Sequence, residues 1–260
     1  MLRKLFFIGC GLLVFSCSQE KAGRFIKNQE EFNAAVSDAR PGDELVIADG
    51  QYYDLELRFT GNGTPDKPIV LRAEEPGRVI ISGESNLQIS GEYLVVSGLV
   101  FRDGFTPTSE VISFKTSKDQ LANNTRVTNC IIDNFNNPER FDSDTWVALY
   151  GKNNQFDHNS LLYKGNQGVT LAVKLSTGAS RENSHIIEYN YFGPGQVLGS
   201  NGGETLRTGT SHYCRTYSNT IVRNNYFDRI TTVSNITFVG SEGIRSNSKE
   251  FKKENIIARN

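Results

Sequence analysis

Methionine occurs once in this 260-residue sequence, and neither charge predominates: 28 basic against 29 acidic side chains leave a formal net charge of -1. With no global basic footprint, nucleic acid is a poor partner. Four cysteines are present, none at metal-ligand spacing. The apolar run at residues 5–15 is too short to span a bilayer. Hairpin signals are sparse, which argues against a propeller or a sandwich. What is there is 24 glycines, many asparagines, 37% hydrophobic and 22% charged residues. That is a globular composition favouring turns and short strands over long helices. The length fits one large or two small domains, and one all-β domain of this size is ordinary.

Residues 1–16 read as a targeting segment, with Arg3 and Lys4 as its basic start and residues 5–15 as its apolar run. It ends Val14-Phe15-Ser16-Cys17, which resembles a bacterial lipobox, so Cys17 is the expected lipidation site. Residues 17–24 then form a tether and residues 25–260 the folded domain. The expected location is outside the cytoplasm, as an outer-membrane or cell-surface lipoprotein, otherwise periplasmic or secreted. Of the other cysteines, Cys10 goes with the signal segment. Cys130 lies in an apolar run and reads as a buried, unpaired thiol, although a disulfide with Cys214 stays open.

One helix is expected at 29–39. Asn28 is its N-cap, Glu31 completes a capping box, and Phe32, Ala35, Val36 and Ala39 share a face before Pro41-Gly42 ends it. Short apolar runs follow at 45–48, 69–71, 79–81 and 93–96. The chain then repeats: Gly98, Asn129, Asn159, Asn190, Asn225 and Asn260 recur at intervals of 31, 30, 31, 35 and 35 residues. The first five are followed two residues later by Val100, Ile131, Leu161, Phe192 and Phe227. Such a period signals stacked units, none able to bury its apolar face alone. The expected fold is all-β, a right-handed parallel β-helix (solenoid) with a short N-terminal capping helix over its open edge. Asparagine side chains stacked from coil to coil would satisfy its buried polar groups. Because the sequence stops on a ladder position, the repeat predicts a chain incomplete at its C-terminus.

The densest polar stretch is 201–211, NGGETLRTGTS, which sets an amide, a carboxylate and a guanidinium (Asn201, Glu204, Arg207) among glycines and hydroxyls. Together with PGDELVIADG, GEYLVVSGLVFRDGFTP, DNFNNPERF, WVALYGKNN, GVTLAVKL, NYFGPGQVLGSNGGETLRTGTSHY and NNYFDR, it makes residues 25–229 resemble polysaccharide lyase family 6. That β-helical family holds alginate lyases and chondroitinase B, and the closer match is to its alginate lyases.

The resemblance implies β-elimination on a uronic-acid polymer. A calcium ion neutralises the sugar carboxylate, a lysine of lowered pKa removes the neighbouring proton, and an arginine of the next coil assists. It implies that Asn201 is a calcium ligand and that Tyr150 lines the substrate cleft. Glu204 and Arg207 would support the calcium loop or the cleft wall, and Arg207 and His212 are the further candidates for substrate contact. His158 and His185 read as turn or ladder residues.

The family segment GEVEIISNKS, which carries two calcium-binding glutamates and the lysine, reads GSEGIRSNSK at 240–249. Aligned directly, Ser241, Gly243 and Ser248 replace those three residues. Slid by one, Glu242 falls on the first glutamate, Ile244 on the second and Lys249 on the lysine. Residues 230–239 read as an insertion, and the arginine coil is missing. The expected function is therefore calcium-assisted cleavage of alginate-like polyuronates, with Lys249 as base and Asn201 and Glu242 at the metal. The alternative is a non-catalytic surface lipoprotein that binds acidic polysaccharide. A β-helical hydrolase would need paired carboxylates, and near 201–211 only Glu204 offers one.

Overall fold

The computed structural model describes residues 24–174, 183–194, 204–208, 220–228, 234–238 and 256–259, and for residues 24, 204–208, 234–238 and 256–259 the backbone alone. Among the described residues the chain winds through three sheets of eight strands each. The first sheet stacks Arg24–Ile26, Glu44–Ile47, Ile69–Ala73, Leu94–Ser97, Arg126–Thr128, Gln155–Asp157, Ile186–Glu188 and Ile221–Arg223. The second stacks Gly50–Tyr53, Val79–Glu84, Leu99–Phe105, Ile131–Asp133, Ser160–Leu162, Tyr191–Phe192, Asn225–Asp228 and Ile256–Arg259. The third runs from Glu56–Asn62 through Asn86–Glu92, Glu110–Ser113, Thr145–Leu149, Leu171–Val173 and Glu204–Thr208 to Ser234–Phe238, with Ala122–Asn123 beside Asn86–Glu92. Neighbouring strands pair in parallel, coil upon coil. The fold is the expected parallel β-helix.

Alternation builds the core. Ile69, Leu71 and Ala73 are buried, while Val70 and Arg72 between them are not fully covered. Inward residues then meet their equivalents one coil on: the rings of Phe192 and Phe227 stack 4.8 Å apart and 6° from parallel. The helix forms at Gln29–Asp38, with the Asn28 side chain accepting from the Glu31 amide as expected. The Glu31 carboxylate reaches back to the amide of Lys27 rather than of Asn28. Phe32 and Ala35 enter the core, and the Gln29 amide group exchanges two hydrogen bonds with the backbone of Glu56 on the edge strand of the third sheet. One side chain both anchors the helix and closes that edge.

The asparagine ladder exists, one residue out of the expected step. Asn159 Oδ1 accepts from the Cys130 amide, Asn190 Oδ1 from the Asn159 amide and Asn225 Oδ1 from the Asn190 amide. The equivalents of Asn159 on earlier coils are thus Cys130 and Leu99, not Asn129 and Gly98. Gly98 and Asn129 fill the preceding corner position, where His158, Tyr189 and Asn224 also take positive φ. Glycine and asparagine recur there because they tolerate left-handed backbone. Likewise Leu161, Phe192 and Phe227 align with Ile132 and Phe101 rather than with Ile131 and Val100.

On the last coil Ile256 lies beside Asn225, at the ladder position, and Asn260 lies outside the described residues. The expected insertion at 230–239 also changes meaning. Ser234–Phe238 is a regular third-sheet strand pairing Glu204–Thr208.

A second ladder, absent from the sequence reading, runs along another corner. Asn154 Oδ1 accepts from the Thr125 amide, and the Asn154 amide donates in turn to Nδ1 of His185 at 3.1 Å. His185 is fully buried and takes the place an asparagine holds one coil earlier, which bears out its reading as a ladder residue. His158 sits at a turn, bonded to Asp157 and stacked on Tyr189. Cys130 is a free, buried thiol as expected; burial pushes its pKa up to about 12.

Candidate active site

The third sheet carries the polar stretch and Tyr150, so its outer surface is where the candidate site lies. Its inward ladder is apolar: Leu87, Ile112, Val147 and Leu171 are all buried and stack in register, and the backbone of Leu206 and Ile236 follows at the same register level. The next register level reads Ser113, Ala148, Ala172, Arg207 and Thr237 on successive coils. The alanines are buried yet stand outside the core cluster.

Just past the strand ends, the outer face carries a connected polar group. Phe114 is buried in the core, so its neighbours Ser113 and Lys115 turn the other way. Tyr150 follows Thr145–Leu149 on the next coil. Its hydroxyl donates to Glu110 Oε1 at 2.5 Å and accepts from Lys115 Nζ at 2.8 Å. The Lys115 ammonium also lies 4.0 Å from the centroid of the Tyr150 ring. The second oxygen of Glu110 accepts from the Ser113 hydroxyl at 2.5 Å. Glu110 is buried, whereas the Lys115 side chain is one-third exposed. Below, Asn154 Nδ2 donates to the backbone oxygen of Tyr150 at 2.7 Å, tying this residue to the buried ladder.

The electrostatics fix the roles. Burial, then the hydrogen bond to Glu110, raise the Tyr150 pKa. The phenol is a donor held in its neutral form, and its lone pairs face the ammonium. Tyr150 is therefore poorly suited to take a proton from substrate. It packs against the core and turns its hydroxyl to Glu110 and Lys115.

Of the other expected site residues, Arg207 holds its register level between Ala172 and Thr237. Asn201, His212, Glu242, Lys249 and the expected lipidation site Cys17 lie outside the described residues. The strand beside Glu204–Thr208 reads Ser-Asn-Ile-Thr-Phe and brings neither carboxylate nor lysine. Among the described residues no group of three His, Cys, Asp or Glu side chains could hold a metal ion.

Two further features flank the sheet. A groove of about 610 Å³ opens beside Ser90, Glu92, Asp119, Gln120 and Asn123. At the opposite strand ends a buried ion pair joins Lys164 Nζ to Asp144 Oδ1 at 2.5 Å, with Asn166 as a third partner. Burial lowers the Lys164 pKa and Asp144 opposes the shift. Sequence reasoning missed Glu110, Ser113 and Lys115. Their one signal is the alternation in residues 111–115, VISFK, which sets Ser113 and Lys115 on one face.

Comparison with known proteins places this sheet in context. A family model described as chondroitinase B matches residues 26–258. The solved structure of the polysaccharide lyase family 6 alginate lyase AlyGC is 51% identical, with a TM-score of 0.81 over 84% of this chain and 30% of that one. A mannuronic acid specific family 6 lyase from human gut microbiota is 35% identical, with a TM-score of 0.77 over 83% of this chain and 51% of that one. The family 6 lyase Pedsa3628 from Pseudopedobacter saltans is 26% identical at a TM-score of 0.68, over 82% of this chain and 52% of that one. The chain thus spans about a third to a half of these three solved structures. No curated protein matches it. A match along nearly the whole sequence, on the coils that carry Tyr150 and Arg207, means that the chain belongs to the chondroitinase B family of polysaccharide lyases.

Proposed function

We propose that this protein acts on alginate-like polyuronates by β-elimination, with the substrate lying along the outer face of the third sheet. The observation that carries the proposal is the 51% identity to an alginate lyase over 84% of the chain, which takes in both Tyr150 and the 201–211 stretch. In this reading Tyr150 and Arg207 bind substrate, His212 flanks them and Lys249 removes the proton. Calcium, held by Asn201 and Glu242, would neutralise the sugar carboxylate. Cys17 would carry the lipid that fixes the protein to a membrane facing its polymer, so that replacing it with alanine abolishes incorporation of labelled fatty acid.

A second reading, a surface lipoprotein that binds acidic polysaccharide without cleaving it, is favoured by two features. The strand beside Glu204–Thr208 has no carboxylate or lysine, and residues 240–249 depart from the family pattern. One assay separates them. Elimination leaves a carbon–carbon double bond conjugated to the sugar carboxylate, which absorbs in the ultraviolet. Absorbance that rises with alginate and calcium and stops with a chelator supports the lyase. Binding of alginate with no new absorbance overturns it in favour of the second reading.

A further inference from the structure

We infer that Lys115 is a substrate-binding residue: its ammonium, clamped by Tyr150 and Glu110, holds the carboxylate of one uronate residue at a subsite three coils from Arg207. The inference rests on the proposed polyuronate function and deepens it.

The first support is the donor inventory of the ammonium. Lys115 Nζ carries three N–H donors, and its one hydrogen bond among the described residues goes to the Tyr150 hydroxyl. Glu110 Oε1 stands 3.9 Å away, beyond hydrogen-bond length. Both Glu110 oxygens are already served, by Ser113 and by Tyr150. A lysine whose task was to neutralise Glu110 would bond it directly. This one is instead held beside it and one-third exposed.

The second is rigidity. The hydroxyl, the aromatic face and the Glu110 charge hold the Lys115 head in one place. Asn154 fixes the Tyr150 backbone from below. A lysine on an open surface loses side-chain freedom on binding an anion; here most of that entropy has already been lost on folding.

The third is position. Glu110–Ser113 and Glu204–Thr208 are separated by two intervening strands of the same sheet. At roughly 4.8 Å per strand the two coils lie about 14 Å apart. The coil repeat is close to the length of one sugar unit in an extended chain, so a polyuronate lying along the sheet meets successive coils with successive sugars. On the far side of Lys115 the groove holds the carboxylates of Glu92 and Asp119. These repel a second carboxylate and favour sugar hydroxyls, which places the anionic group on the lysine.

The test is calorimetric titration of the full chain with a mannuronate hexamer and with the same hexamer after its carboxylates are reduced to alcohols. Lys115→Met, which keeps the aliphatic stem, should weaken binding of the charged hexamer roughly tenfold. It should leave binding of the reduced hexamer unchanged. Lys115→Arg, which keeps the charge, should recover most of the loss. Equal affinity of wild type and Lys115→Met for the charged hexamer overturns the subsite while leaving the lyase reading intact. So does an equal loss with both hexamers. Failure of the wild type to bind the charged hexamer overturns the polyuronate reading itself.

Discussion

The phenolic hydroxyl of Tyr150 donates across 2.5 Å to Oε1 of Glu110, a residue forty positions earlier that one turn of the helix has brought alongside. This contact decides what Tyr150 can do. Burial raises the pKa of this phenol first, and the bond to a buried carboxylate, which stabilises the neutral form, raises it further.

Tyr150 is accordingly expected to remain protonated at alkaline pH where exposed tyrosines ionise. Tyrosine-labelled nuclear magnetic resonance across pH 8–11 should show the Tyr150 ring unchanged where exposed rings titrate. Glu110→Gln should bring that ring's titration down towards the ordinary range. A Tyr150 signal that titrates with the exposed rings would show that the Glu110 contact does not hold it.

The ladder makes a stability prediction. Asn190 Oδ1 accepts from both the amide and the side chain of Asn159, while its Nδ2 donates to Asn225 and to the Phe156 carbonyl. Asn190→Ala leaves several buried polar groups unpaired and should cost about 2–4 kcal/mol in urea unfolding. Asn153→Gly, which suits the left-handed backbone of an exposed corner and removes a single long side-chain contact, should cost under about 1 kcal/mol. Equal costs would mean that the coil-to-coil bonds add nothing beyond secondary structure.

His185 makes the fold sensitive to acid. Burial lowers its pKa to about 4, the amide of Asn154 donates to its Nδ1, and its Nε2 has no partner among the described residues. The native state therefore stays neutral while the unfolded chain takes up a proton near pH 6.5. Stability contributed by this group is fully present above about pH 6.5. It falls as the pH drops towards 4, by up to about 3 kcal/mol, and levels off below. His185→Asn keeps an acceptor for the Asn154 amide and should flatten that part of the profile. Urea midpoints at half-unit steps from pH 7.5 to 4 would decide it, and an unchanged slope in the variant would remove His185 as the cause.

How much of this was legible depended on whether the signal was local. The helix was readable because Asn28, Glu31 and Phe32 act within one turn. The coil period was readable too, but the step was misplaced because asparagine serves two purposes in this fold. At 129 and 224 it permits a left-handed corner, whereas at 159, 190 and 225 it carries the buried ladder. On earlier coils the ladder position is held by Cys130 and Leu99, which no asparagine count can find. His185 in an asparagine's place is hidden in the same way. The Glu110–Tyr150–Lys115 cluster was the hardest to see. Its members meet only after a full coil has closed, and the turns entering the third sheet vary in length, so sequence spacing does not transmit their register.

Cys130 offers a check on the core. Its thiol donates to the Thr128 carbonyl, and burial holds its pKa near 12. In a Cys214→Ser background lacking residues 1–24, it should resist thiol reagents until the protein is unfolded. Rapid labelling of the native protein would place this residue outside a closed core.

The central claim is that a polyuronate lies along the outer face of the third sheet. A crystal structure of the protein with a mannuronate hexamer tests it most directly. The account predicts sugars in step with successive coils, one carboxylate against Lys115 Nζ beside Tyr150, and a further sugar on the coil of Arg207. A hexamer bound across the first or second sheet, with Lys115 and Tyr150 untouched, would contradict it.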